Sequence, residues 1–298
     1  MRLDVSYVDA APSPRVGFFT DTSVCIGCKA CEVACKEWNQ IPTSMQGYTG
    51  ESYDNTLDLG ADTWRHVAFV EQRKPVGVDP EGGAVDLVRT AARDGAAAEW
   101  GLGTYQDGDG MRWLMASDVC KHCTHAACLD VCPTGALFRT EFGTVVVQED
   151  ICNGCGYCVP ACPFGVLDQR EEDGRVWKCT LCYDRLKDDK EPACAQACPT
   201  NSIQFGELDE LRDRAEARLA QLRDAGAEEA RLYGADDDDG VGGFGAFFLL
   251  LDEPEAYHLP PDPVDTTRDL PGLWAATAAA AGALAAGLAA ATFAGRRR

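Results

Sequence analysis

The chain has 298 residues, 46% of them hydrophobic, enough for a core and for two or three modules. Its 27 basic and 48 acidic residues leave a net charge of −21, which excludes nucleic acid as a partner because nothing would neutralise the phosphates. Sixteen cysteines point either to a disulfide scaffold or to metal, and their spacing decides between the two.

No apolar stretch and no Arg-Arg pair precede Cys25, so the chain is expected to carry no export signal of its own. Cys25, Cys28, Cys31 and Cys35 form a first block spaced C-x2-C-x2-C-x3-C. Residues 36–119 separate it from the second block, too many for a simple loop. Within them His66–Glu71 and Met111–Ala116 read as strands, and Val76–Gly110, rich in Gly, Asp and Ala, as a surface excursion. The second block, Cys120, Cys123, Cys128 and Cys132, has one looser x4 step, whereas the third, Cys152, Cys155, Cys158 and Cys162, repeats the first. Between them Ala136–Thr140 and Thr144–Gln148 read as a hairpin turning at Glu141-Phe142-Gly143. Val166–Arg170 and Arg175–Lys178 then flank a turn at Glu171–Gly174.

The fourth block, Cys179, Cys182, Cys194 and Cys198, contains an x11 step and leads into a strand over Ser202–Phe205. Glu207–Leu232 reads as a charged helix packed on the outside, with Leu208, Leu211, Leu219 and Leu222 near one face. Asp236–Asp239 reads as a solvated acidic loop, and Pro254–Pro271 as an extended proline- and aspartate-rich linker. The 22 residues Leu273–Ala294 carry no charge. As a helix they span roughly 33 Å, the thickness of a bilayer's hydrocarbon core. A buried or surface-bound helix is the alternative for so alanine-rich a segment. Gly282, Ala283 and Gly287 suit close packing against a membrane partner. Arg296, Arg297 and Arg298 follow the segment while Arg268 alone precedes it, so the C-terminus is expected in the cytoplasm and the rest on the outer, periplasm-like face.

The repeated cysteine run is the bacterial ferredoxin signature, and three of its four occurrences end in proline, at Pro133, Pro163 and Pro199. Each iron of a cubane needs one soft ligand, and thiolate supplies it. Three cysteines two residues apart wrap three corners, while the fourth, where a short helix is expected to begin, points to a different cluster. Sixteen ligands at four per cube predict four [4Fe–4S] clusters. Disulfides are disfavoured because adjacent C-x2-C pairs have poor bridging geometry. A structural zinc adaptor, the rival from another class, rarely adds the third and fourth cysteines at these steps. His66, His122, His125 and His258 are the only histidines; His122 and His125 lie inside block two, where cysteine already fills every ligand position. No phosphate loop, H-E-x-x-H or G-x-S-x-G occurs, so the chain is read as a non-catalytic electron conductor. The expected fold is α+β, with two ferredoxin-like modules of two clusters each and a C-terminal transmembrane helix.

The run Cys25-Ile26-Gly27-Cys28-Lys29-Ala30-Cys31-Glu32-Val33-Ala34-Cys35-Lys36-Glu37-Trp38-Asn39 resembles the iron–sulfur (beta) subunit of membrane-bound respiratory formate dehydrogenase. The patch Tyr53–Leu59, the stretch Lys178–Arg185, Glu191-Pro192-Ala193-Cys194, Cys198-Pro199-Thr200 and Tyr257-His258-Leu259-Pro260 extend the likeness. The cysteine blocks are shared with other molybdopterin oxidoreductases, including dimethyl sulfoxide and polysulfide reductases, for which the same relay is the alternative. The tyrosine patch and the single terminal helix narrow the resemblance to formate dehydrogenase.

The resemblance implies a molybdenum or tungsten catalytic subunit that oxidises formate and a haem b membrane subunit that passes electrons to quinone. It also implies that blocks one and four form a discontinuous module nearer the catalytic subunit, and blocks two and three a module nearer the haem. With fourth cysteines exchanged, the expected quartets are Cys25, Cys28, Cys31, Cys198; Cys179, Cys182, Cys194, Cys35; Cys120, Cys123, Cys128, Cys162; and Cys152, Cys155, Cys158, Cys132. The corresponding division is residues 1–40 with 170–206 as one module and 111–169 as the other. Residues 41–110 form an insertion, 207–272 an outer helix and linker, and 273–295 the transmembrane helix in membrane lipid.

Overall fold

The computed structural model describes residues 14–43, 50, 53–54, 56–72 and 112–295. In chain order its elements are β1 (Val16–Asp21), a 3-10 turn (Thr22–Val24), α1 (Ala30–Asn39), β2 (Arg65–Gln72), β3 (Arg112–Val119), α2 (Ala127–Asp130), β4 (Leu137–Arg139), β5 (Val145–Val147) and α3 (Cys158–Ala161). There follow β6 (Asp168–Gln169), β7 (Val176–Trp177), α4 (Tyr183–Lys187), α5 (Ala193–Gln196), β8 (Ile203–Glu207), α6 (Leu208–Asp224), β9 (Arg231–Tyr233), β10 (Ala246–Leu250), a second 3-10 turn (Pro254–Tyr257) and α7 (Leu270–Gly295).

The main sheet is built from two apolar runs far apart in sequence. β1 reads Val-Gly-Phe-Phe-Thr-Asp and β10 Ala-Phe-Phe-Leu-Leu, and such runs without alternation suit strands covered on both faces. They pair in parallel, Phe18 opposite Ala246 and Asp21 opposite Leu249, at the centre of the order β8-β1-β10-β9, with both outer strands antiparallel to them. Gly17 permits the close approach, since a Cβ there would meet the Gly245 carbonyl at 2.0 Å. α6 buries Leu208, Leu211, Ala215 and Leu222 in the same core as Phe19, which stacks on Phe247 at 5.4 Å. Arg218 pins the helix to the end of β1 through Asp21 at 3.0 Å and the Ser23 hydroxyl at 2.9 Å.

Both expected hairpins form, β4 with β5 and β6 with β7, and β2 pairs antiparallel with β3 from Arg65 opposite Val119 to Gln72 opposite Arg112. The excursion Val76–Gly110 lies outside the described residues. Two expectations are corrected. The helix predicted over Glu207–Leu232 stops at Asp224, where Gly226 adopts φ 95° and the amides of Gly226 and Ala227 return to the Arg223 and Leu222 carbonyls. Arg231 and Leu232 enter β9 instead.

The second correction is Pro254–Pro271, which is no extended tether but a strap packed on the body. Tyr257 and Leu259 are buried, the Tyr257 hydroxyl accepts the Leu251 amide at 3.1 Å, and the Tyr233 hydroxyl donates to the Pro260 carbonyl at 2.6 Å. Two apolar side chains with a core to enter hold the strap down, and its prolines shape the path rather than extend it. Farther along, Thr266 donates to the Ala161 carbonyl at 2.9 Å and Thr267 to Asp130 at 2.8 Å, which ties the strap to α3 and α2. From there α7 leaves the body. Its Leu270–Phe293 stretch has mean hydropathy 1.6 and no buried residue, so it is long and apolar enough to cross a membrane. Pro271 sits in its first turn, where a missing amide costs nothing. Arg296–Arg298 lie outside the described residues.

Candidate metal centres

Three of the four blocks end in one repeated turn: Cys132-Pro133-Thr134-Gly135, Cys162-Pro163-Phe164-Gly165 and Cys198-Pro199-Thr200-Asn201. In each, the last residue has positive φ, 70°, 62° and 53°, and its amide donates to the carbonyl of the cysteine. Proline presets φ at the second position, and Gly or Asn tolerates the left-handed fourth. Block one differs. Cys35 lies inside α1, so a proline at position 36 would remove a helical amide bond at a cost of about 3 kcal/mol. This accounts for the absence of a proline there.

The helical turns sit differently from the expectation that they begin near the fourth cysteine. Each carries the third: Cys31 in α1, Cys128 in α2, Cys158 in α3 and Cys194 in α5. In α2, α3 and α5 the helix also ends before the fourth cysteine, because the short turn closes over the x3 residues. Cys162, for instance, is the cap of α3 with extended backbone, ψ 118°. α1 packs against α5 and α2 against α3, which brings the first block to the fourth and the second to the third.

The sixteen thiols, all free, fall into four groups. Cys25, Cys28, Cys31 and Cys198 line one cavity together with Ser117 and Val67. Cys120, Cys123, Cys128 and Cys162 line another with Val145 and Leu167. Cys35 has the thiols of Cys179, Cys194 and Cys182 and the Arg65 guanidinium as neighbours, and Asn39 donates to the sulfurs of Cys35 and Cys182 at 3.7 and 3.9 Å. Cys158 is surrounded by Cys132, Cys155 and Cys152. Across the groups Cys31 senses Cys194, Cys179 senses Cys120, and Cys128 senses Cys158, so each quartet adjoins the next. A broader surface groove lined by Trp64, Phe138, Trp177 and Tyr183 contains none of these cysteines.

Such quartets suit a multi-iron group. Burial pushes the Cys25, Cys128 and Cys179 thiols up to about 12 and those of Cys31, Cys158 and Cys182 up to about 11, with neighbouring thiols adding to the rise. Four buried thiols therefore lose their protons together only against bound positive charge, which metal supplies. At Cys132 burial is outweighed by the amides of Leu137, Thr134 and Ala136, which lower the thiol. Buried donors are also left over beside the thiols: Arg65 Nε and His122 Nε2 have no partner among the described residues. An orphaned donor costs roughly 1–3 kcal/mol, and inorganic sulfide is an acceptor that zinc would not bring.

Basic residues buried between the quartets were not anticipated from sequence. Lys121 pairs with Asp118 and lies over the Phe164 and Phe248 rings at 5.3 and 5.0 Å. Lys178 donates to the Val145 and Cys179 carbonyls, and Arg65 is 2% exposed. The only signal was adjacency, Cys120-Lys121 and Lys178-Cys179. The histidines play supporting parts. His122 accepts the Val145 amide at Nδ1, and burial with Lys178, Arg15 and Arg139 nearby holds it well below its usual range, hence neutral. His66 is held by Thr56 and Asp54, while His125 and His258 are exposed. In the tyrosine patch, Tyr53 packs on Phe69 and Trp113, and Asp54 accepts from the Thr56 and Leu57 amides.

Two models of a 4Fe-4S dicluster domain match the chain, over residues 24–136 and 111–208. The formate dehydrogenase iron–sulfur subunit of Haemophilus influenzae is 39% identical over 247 residues, 82% of this chain and 68% of that protein. The iron–sulfur subunit of the nitrate-inducible formate dehydrogenase of Escherichia coli is 40% identical over 261 residues, 86% of this chain and 76% of that protein. One polypeptide of the anaerobic dimethyl sulfoxide reductase of Escherichia coli is 33% identical over 200 residues, 67% of this chain and 77% of that protein.

Proposed function

The chain belongs to the family of formate dehydrogenase iron–sulfur subunits, and we propose that it relays electrons through four [4Fe–4S] clusters from a molybdopterin catalytic subunit to a haem b membrane subunit and quinone. The chain itself is non-catalytic in this reading. Each quartet of thiolates would hold one cluster with its fourth ligand exchanged between blocks, and each cluster would supply a one-electron acceptor. The succession of quartets carries the proposal: Cys31 has Cys194 among its neighbours, Cys179 has Cys120 and Cys128 has Cys158, so each group of thiols adjoins the next.

Residues 1–40 with 170–206 would be the module of quartets one and two, and residues 111–169 that of three and four, a division supported among the described residues by the α1–α5 and α2–α3 contacts. The strap bonded to α2 and α3 leads into α7, which favours the third and fourth quartets as the membrane-proximal end. Exposed cysteines lie in the first and fourth quartets, Cys28 and Cys155, and with the fourth toward the membrane the first would face the catalytic partner. The chain would be a single-pass membrane protein with its cluster-bearing body on the outer face and its C-terminus in the cytoplasm. The same relay serving a dimethyl sulfoxide reductase is the second reading, since that relative also matches; the formate dehydrogenase relatives match more of the chain.

Anaerobic purification through a tag on this chain tests the assignment. The expected product contains a molybdopterin subunit and haem b, and formate alone bleaches the iron–sulfur absorbance. Absorbance that dithionite bleaches and formate does not, in a complex retaining its molybdopterin subunit, contradicts the formate reading.

A further inference from the structure

We propose that Arg65 is a counter-charge shared by the first and second quartets and that it raises the reduction potentials of both. The proposal rests on the four-cluster reading above. Arg65 opens β2, and its guanidinium lies over the Phe18 ring at 4.8 Å. Nη2 donates to Cys194 Sγ of the second quartet at 3.2 Å. Nη1 donates to the Ser117 carbonyl at 3.1 Å and to its hydroxyl at 3.3 Å, and that hydroxyl lies 3.2 Å from Cys31 Sγ of the first quartet. One guanidinium thus reaches the second quartet by a direct bond and the first through a single hydroxyl.

What balances this charge is informative. The buried guanidiniums of Arg112 and Arg218 are paired with Asp252 and Asp21. Arg65 has no carboxylate partner among the described residues, and a buried cation without an anion is expensive. The groups that act on its charge are the cysteines Cys194, Cys31, Cys179 and Cys35, drawn from both quartets. Each cluster gains one electron and no proton on reduction, while Arg65 stays protonated throughout. The added negative charge therefore meets a fixed positive one, and charge and hydrogen bonds to sulfur are what set potentials in this class. Ser117 extends the effect: polarised by Nη1, its hydroxyl is a stronger donor to Cys31 than it would be alone.

A redox titration of the intact, cluster-loaded protein followed by electron paramagnetic resonance tests this. Wild-type protein is expected to give four one-electron midpoints. In Arg65→Met two of the four fall, each by at least tenfold in the reduction equilibrium, about 59 mV for a one-electron couple. A tenfold change is modest for unit charges this close at an effective dielectric of about 20. In Ser117→Ala, which keeps the buried cation and remains readable should Arg65→Met fail to load iron, one of those midpoints falls and the rest hold. Fewer than four midpoints in wild type overturns the four-cluster reading and this proposal with it. Four wild-type midpoints, of which Arg65→Met moves none, one or all alike, or Ser117→Ala moves none, overturn this proposal alone.

Discussion

Replacing Cys35 with serine is expected to remove about four of about sixteen irons, and the cluster lost is expected to be the one held by block four. The reason is spatial: Cys35 follows Cys31 in α1, yet its neighbouring thiols are Cys179, Cys194 and Cys182, and Asn39 donates to the sulfurs of both Cys35 and Cys182. Paired variants make the assignment without resolving individual spectra. Cys35→Ser combined with Cys179→Ser should cost no more iron than either alone, because both strip one cluster. Cys35→Ser combined with Cys25→Ser should cost about eight, because they strip two. If Cys35 served its own block, the two results would be exchanged. Anaerobic iron determination on the four variants decides the matter.

Deleting residues 270–298 is expected to release the protein from the membrane fraction and leave its body intact. Among the described residues no part of Leu270–Phe293 is buried against the rest, so its removal should change the stability of the body by no more than about 0.5 kcal/mol. Membrane retention, by contrast, should go from complete to none in a chain expressed without partners. A truncated chain that stays membrane-bound, or one that loses its iron, would show that α7 is not simply an anchor. The same helix carries the orientation: protease added to intact spheroplasts should digest the body of the full chain, and protection of that body while an outer-face protein is cleaved would reverse it.

The parts legible in the sequence are those written in local pattern. Sixteen cysteines at fixed steps mark the four blocks, Gly143 and Gly174 mark the two hairpins, and an uncharged stretch marks α7. The centre of the main sheet was not legible, because β1 and β10 have no alternation to reveal a strand and their parallel pairing joins Phe18 to Ala246 across the whole body of the chain. The end of α6 is marked by Gly226, but the charged pattern continues beyond it into Glu228 and Glu229 and masks the stop. The strap was misread from its prolines, while Tyr257 and Leu259, two apolar side chains among many polar ones, decide its packing. Arg65 was invisible for a different reason. A single arginine at the start of a strand normally reads as solvated, and only the fold brings Cys194, Ser117 and Phe18 around it.

The central claim is that this chain is a row of four cubanes, and its most direct measurement is joint determination of iron, acid-labile sulfide and zinc in anaerobically purified protein, read beside the low-temperature resonance spectrum of the reduced state. The account predicts about sixteen irons and about sixteen sulfides per chain with no zinc, and a spectrum of interacting one-electron-reduced clusters. Zinc in place of iron, or iron near half that value in protein whose sixteen cysteines are intact, would contradict it.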